Sequence, residues 1–134
     1  MNEELMQYQV YKNQLQKITE YLTQIETQKQ SIDGAIDALK EIKNTKKQTK
    51  ILAPIASGIF IEANITNTDE VIAHTGANTV VKKSIEETIE SLKKELENIG
   101  NYENEIKMQK NQLTQMLSFM GDAIAQKRTS KKEE

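Results

Sequence analysis

Residues 51–83 read "ILAPIASGIFIEANITNTDEVIAHTGANTVVKK", and their pattern differs from everything on either side. Four short apolar runs, "ILAPIA", "IFIEANIT", "VIAHT" and "TVVKK", are rich in β-branched residues. They are separated by "SG", "NTDE" and "GAN", which supply glycine or asparagine where tight connections need positive φ. This spacing predicts two β-hairpins over 51–83. In the second run Ile59, Ile61, Ala63 and Ile65 alternate with Phe60, Glu62, Asn64 and Thr66, giving one apolar face and one mixed face. Pro54 cannot donate to a ladder and belongs at a bulge or an edge. Isolated hairpins are marginal in water, and nothing in the sequence supplies a lid. The open edges therefore predict strand pairing with other chains, closing a β-barrel between subunits. Ile51, Ile55, Ile59, Ile61, Ala63, Ile65, Val71, Ala73 and Val80 are the expected oligomerisation residues.

Working outward, apolar side chains before the hairpins fall at Tyr8, Tyr11, Leu15, Ile18, Leu22, Ile25, Ile32, Ile36 and Leu39, in steps of three and four with Lys29 filling the gap. After the hairpins the same rhythm runs through Ile85, Ile89, Leu92, Leu96, Ile99, Ile106, Leu113, Leu117, Met120 and Ile124, interrupted by Glu103 and Lys110. These are heptad seams, each on the order of 50–60 Å long, predicting helix one over 1–48 and helix two over 84–126, with a flexible tail over 127–134. A stripe this narrow leaves a lone polar helix marginal, so the two seams must bury each other as an antiparallel intramolecular coiled coil. The register preferred here sets Tyr8 against Met120, Leu15 against Leu113, Leu22 against Ile106 and Ile36 against Leu92, with Lys29 and Glu103 in neighbouring layers. Sliding one heptad would put Tyr8 against Lys127 and draw Lys43 and Lys50 into the seam. Ser84 followed by Glu87 forms a capping box opening helix two, and Lys40, Lys43, Lys46 and Lys47 crowd the end of helix one, where the dipole favours cations.

Composition narrows the function. Among 134 residues the charge balance of 18 basic and 20 acidic side chains gives no field that would draw the chain to nucleic acid or an anionic membrane. There is no cysteine, so disulfides, thiolate nucleophiles and cysteine-bound metals are excluded. No leader-like or membrane-spanning apolar run occurs, which predicts a soluble, cytoplasmic protein. His74 is the single histidine and stands in a strand run, so it reads as a barrel side chain rather than a metal ligand or catalyst. Asp69 and Glu70 sit adjacent in a turn, without the spacing of a calcium loop or a cleft for acid and base work. Gly76 lacks the lysine and hydroxyl of a phosphate loop. No residue set supports an enzyme, a cofactor or a metal.

The order of a coiled-coil flank, then "LAPIASGIFIEANITNTDEVIAHTGANTVVKKSIEETIESL", then a second flank resembles the α-class subunits of the prefoldin family. The two-hairpin layout carries the resemblance over about a third of the chain; the flanks are generic. The fold it implies is α+β: a long antiparallel two-helix coiled coil whose two central β-hairpins form an intersubunit β-barrel. It also implies a heterohexamer of two α-class and four β-class prefoldin subunits, ATP-independent capture of unfolded client proteins, and their delivery to a group II chaperonin.

Hairpin geometry predicts that both chain termini meet at the free end of the coiled coil, far from the β-hairpins. Leu5, Met6, Tyr8, Met116, Phe119, Met120, Ala123 and Ile124 then share one neighbourhood. Four of the five methionines, Met1, Met6, Met116 and Met120, fall there, and unbranched, polarizable methionine adapts to many apolar shapes. Tyr8, Leu117 and Met120 are also seam positions and serve packing. The expected client-binding residues are Leu5, Met6, Met116, Phe119, Met120, Ala123 and Ile124. A second function remains open on sequence alone: a structural subunit that polymerises into a filament through its β-hairpins, because head-to-tail strand pairing need not close.

Overall fold

The computed structural model describes residues 2–133 and the side chains of residues 3–128; Met1, one of the methionines expected near the client-binding residues, lies outside the described residues. The order of elements is α1 (Asn2–Lys43), β1 (Lys50–Ala56), β2 (Ile59–Asn64), β3 (Glu70–Gly76), β4 (Thr79–Ser84) and α2 (Ile85–Glu133). This is the α+β arrangement of two long helices and two hairpins that the sequence predicts. By contacts it divides into two compact units, Met1–Lys29 with Asn98–Glu134, and Gln30–Glu97.

In the first unit the helices run antiparallel and bury the heptad stripe. Ile25, Ile106, Leu113 and Leu117 are buried, and Tyr8, Tyr11, Leu15, Ile18, Leu22, Ile99, Met120 and Ile124 are half-buried between them. Most outward positions are polar, so the seam carries most of the apolar burial between the helices, joined by an edge-to-face contact of Tyr21 with Tyr102 at 6.1 Å between ring centroids. Its register is the preferred one: Lys127 Nζ lies 2.6 Å from Glu4 Oε1, and a methyl group added at Gly121 would stand 3.7 Å from the Tyr8 ring. Helix α2 continues to Glu133 rather than stopping at 126. The segment "QKRTSKKE" contains no glycine or proline to end it, and basic residues suit a helix C-terminus.

The second unit contains the hairpins and the helical turns that carry them. Ile32, Ile36, Ile85 and Ile89 are its buried apolar residues. Helix α1 ends at Lys43, five residues short of the expected boundary. There Thr45 Oγ1 donates to the Glu41 carbonyl at 2.6 Å, and Gln48 takes φ 70°, outside helical space. Ser84 caps α2 as expected, its Oγ accepting from Glu87 N–H at 3.1 Å.

Each hairpin is a separate two-stranded antiparallel sheet, and the two share one design. Lys50 pairs with Asn64 and Ala56 with Ile59; twenty residues on, Glu70 pairs with Ser84 and Gly76 with Thr79. Each ladder carries a bulge just before its turn, between Pro54 and Ala56 and between His74 and Gly76. The two-residue connections Ser57–Gly58 and Ala77–Asn78 reverse the chain with φ 77° at Gly58 and 63° at Asn78, the conformation those residue types tolerate best. The first ladder is extended by Ile65, which donates to the Thr49 carbonyl at 3.0 Å and accepts from Gln48 N–H at 2.6 Å.

Candidate functional surfaces

The helix ends of the first unit bring all seven expected client-binding residues together around two grooves. One groove, of about 870 Å³, is lined by Leu5, Met6, Tyr8, Gly121, Ile124 and Arg128 among others. The other, of about 310 Å³, is lined by Tyr11, Met116, Phe119, Met120, Ala123 and Ile124, and the Glu4–Lys127 ion pair borders it. Heptad geometry explains the pairing. Positions just off the stripe cannot reach the seam, so Met6 and Phe119, 67% and 76% exposed, stand on its flanks, with half-buried Leu5 beside them. Lys127 donates a hydrogen bond to Glu4 and holds that carboxyl below its usual range. Gln7, Gln9 and Arg128 are the other polar side chains of the lining, beside the phenols of Tyr8 and Tyr11, and the rest of it is apolar or glycine, a lining suited to apolar contact.

Away from the grooves, within the same unit, the seam holds one buried charge. Glu103 is 5% exposed, and its Oε1 accepts from Lys29 Nζ at 3.1 Å with Lys107 Nζ at 3.5 Å. The hydrogen bond from Lys29 lowers its pKa, desolvation opposes that, and the charge of Lys107 assists. An ion pair in a seam is weak evidence for stability but a strong constraint on register. Moving one helix by a heptad would strand Glu103 beside Leu22 in one direction, or set Lys29 against Lys110 in the other. Sequence reasoning placed the two residues in neighbouring layers; their spacing within otherwise apolar stripes was the signal.

The hairpins of the second unit expose large apolar side chains. Of the nine expected oligomerisation residues, Ile51, Ile55, Ile59, Ile61 and Val80 are exposed, and Ala63, Ile65, Val71 and Ala73 are half-buried. The ladder register regroups them. Val80 pairs with His74 and, by strand alternation, shares a face with Ile72, whereas Val71 and Ala73 lie on the other face with Val81. In the first hairpin Leu52 and Phe60 are also exposed, on the face opposite Ile51 and Ile61. Both faces therefore carry exposed apolar residues: Leu52, Phe60 and Ile72 share a face with Glu62 or Lys82, Val81 lies with Val71 and Ala73, and none of the four was among the expected oligomerisation residues.

The tempting chemical residues have structural surroundings. Asn67 Oδ1 accepts from the N–H groups of Asp69 and Glu70, each at 2.9 Å, and the Asp69 carbonyl accepts from Ile85 N–H at 2.8 Å, which fixes the acidic turn against the start of α2. Among the described residues no group of three or more histidine or acidic side chains is placed to hold a metal. No helix among them is long and apolar enough to cross a membrane.

Comparison with known proteins agrees with this architecture. The family model described as "Prefoldin subunit" matches residues 11–130. The chain is similar to prefoldin subunit alpha 1 of Methanocaldococcus jannaschii, 31% identical over 105 residues that cover 78% of this chain and 71% of the relative. It is also similar to prefoldin subunit alpha of Methanococcus aeolicus, 35% identical over 103 residues, covering 74% and 69%. A cryo-EM structure of filamentous PFD from Methanocaldococcus jannaschii superposes with a TM-score of 0.75 at 17% identity, over 94% of this chain and 99% of that one, a likeness of fold.

Proposed function

The chain belongs to the prefoldin family, and from that premise we propose that it is an α-class holdase subunit that captures unfolded polypeptides in its two terminal grooves and passes them to a group II chaperonin. The observation that carries the proposal is the convergence of Leu5, Met6, Met116, Phe119, Met120, Ala123 and Ile124 on two open grooves. Each groove is shallow and binds weakly. In a heterohexamer of two α-class and four β-class subunits, joined through the hairpin residues, several such ends engage one flexible client and raise the effective concentration of every later contact. Capture by contact alone requires no nucleotide.

The test is suppression of aggregation of an unfolded client by the complex assembled with a β-class partner. Phe119→Asp removes about 1.5–3 kcal/mol of apolar burial at each occupied end, roughly ten- to a hundredfold in affinity. Suppression should fall by that order while the assembled mass is unchanged; full suppression by the variant would reject the grooves as the capture surface.

A second reading is a structural filament subunit, supported by hairpins that expose apolar residues on both faces and by a fold neighbour described as filamentous. Size-exclusion chromatography with light scattering separates the two. A closed complex formed only on mixing with a β-class partner favours the holdase; polymers growing from this chain alone favour the filament.

A further inference from the structure

With no cysteine in the chain, methionine is its only sulfur-bearing side chain. Three of the five methionines line the grooves: Met6 in one, Met116 and Met120 in the other. Met6 is 67% exposed and Met116 42%, while Met120 is half-buried in the seam. Met108 belongs to the same unit and is 63% exposed, but it lines neither groove. The contrast separates oxidation at the capture surface from oxidation anywhere else.

We propose that Met6 and Met116 are oxidation sites through which hydroperoxides reversibly switch off client capture, an inference that rests on the grooves being the client surface. The sulfur lone pair attacks one oxygen of hydrogen peroxide, the O–O bond breaks, and an S–O bond forms. The thioether is oxidised by two electrons to the sulfoxide, and the peroxide is reduced to one molecule of water. A flexible apolar side chain becomes a polar, hydrated one. An apolar client segment entering the groove must then strip water from the sulfoxide without offering it a hydrogen bond, which opposes binding. The seam residues Leu113 and Leu117 remain buried, so the coiled coil stays folded. Reduction by the two epimer-specific methionine sulfoxide reductases, in which a dithiol is oxidised to a disulfide and the sulfoxide oxygen leaves as water, restores the thioether and with it the surface.

The experiment treats the complex, assembled with a β-class partner, with a hydrogen peroxide dose that leaves Met120 as the thioether. Sulfoxide is quantified at each methionine by peptide mass spectrometry, and suppression of citrate synthase aggregation is measured before and after. The expected result is oxidation at Met6, Met108 and Met116 with unchanged helicity, a loss of suppression on the order of fivefold, and recovery with the reductases. The ratio of treated to untreated suppression should stay near one in Met6→Leu/Met116→Leu, whatever that variant's starting value, and fall as in the parent chain in Met108→Leu. Suppression that survives complete oxidation of both groove methionines overturns this inference alone, as does an equal loss in the double variant. A complex that fails to suppress aggregation before any peroxide is added overturns the capture reading and this inference together.

Discussion

Ile106 of α2 and Ile61 of β2 are the same side chain in opposite circumstances, one 6% and the other 50% exposed. The helical seam completes itself within one chain, because two complementary stripes lie on a single polypeptide and bury each other. The hairpins cannot do so. Two strands have two faces and two edges, and here both faces carry large apolar residues that the chain covers only in part. The difference teaches that one part of the molecule buries its apolar surface on folding and the other leaves much of its own exposed.

The sharpest way to break this comparison is to charge the part left exposed. Ile61→Asp combined with Ile72→Asp should abolish assembly with a β-class partner, read as loss of the complex by light scattering, while circular dichroism shows undiminished helix. Truncating the two isoleucines should then separate the regions by stability. Ile106→Ala should cost about 2–5 kcal/mol in chemical denaturation of the isolated chain. Ile61→Ala should change it by less than about 0.5 kcal/mol. Equal effects would mean that the hairpin is packed within its own chain.

A smaller effect is expected at the start of α2, where Ser84→Ala removes the cap on Glu87 N–H and should cost about 1 kcal/mol. Register is tested next. Lys29→Leu/Glu103→Leu should leave stability equal or higher but blur the pairing, so that Leu22→Cys/Ile106→Cys, efficiently bridged in the parent chain, loses yield to Leu22→Cys/Leu113→Cys.

The smallest effect is on pH. The Glu103 carboxyl is held below its usual 4.5 by Lys29, so the folded chain binds fewer protons there than the unfolded one. Its contribution is complete above that value and is lost as pH falls through the lowered one. Glu4 and Glu86 shift the same way through their exposed pairs with Lys127 and Lys43. Acid denaturation followed by circular dichroism should therefore show a shallower loss below pH 4.5 in Glu103→Gln than in the parent chain.

The seam was legible because its rule is local: a residue three or four positions on is a neighbour, and Tyr8 through Leu39 obeys that spacing with a single polar substitution. The residues gathered at the grooves followed from the same rule plus antiparallel pairing. Strand faces were less legible. The bulges preceding both turns shift the phase of one strand against its partner, so Val80 cannot be assigned to a face by counting from Val71. Charged residues at Glu62 and Lys82 disguised a second apolar face that only the ladder reveals. Helix ends were read least well, since after Lys43 the Thr45 N–H turns to the Ile42 carbonyl and one residue, Gln48, leaves helical space.

The matching registers of the two hairpins bear on connectivity. A building block with one coupler can only terminate a chain of contacts, whereas one with two like couplers can join a neighbour through each. If each hairpin joins one neighbour, as proposed, deleting 70–84 from this chain should turn a bridging piece into an end piece, read in the size distribution of its complexes.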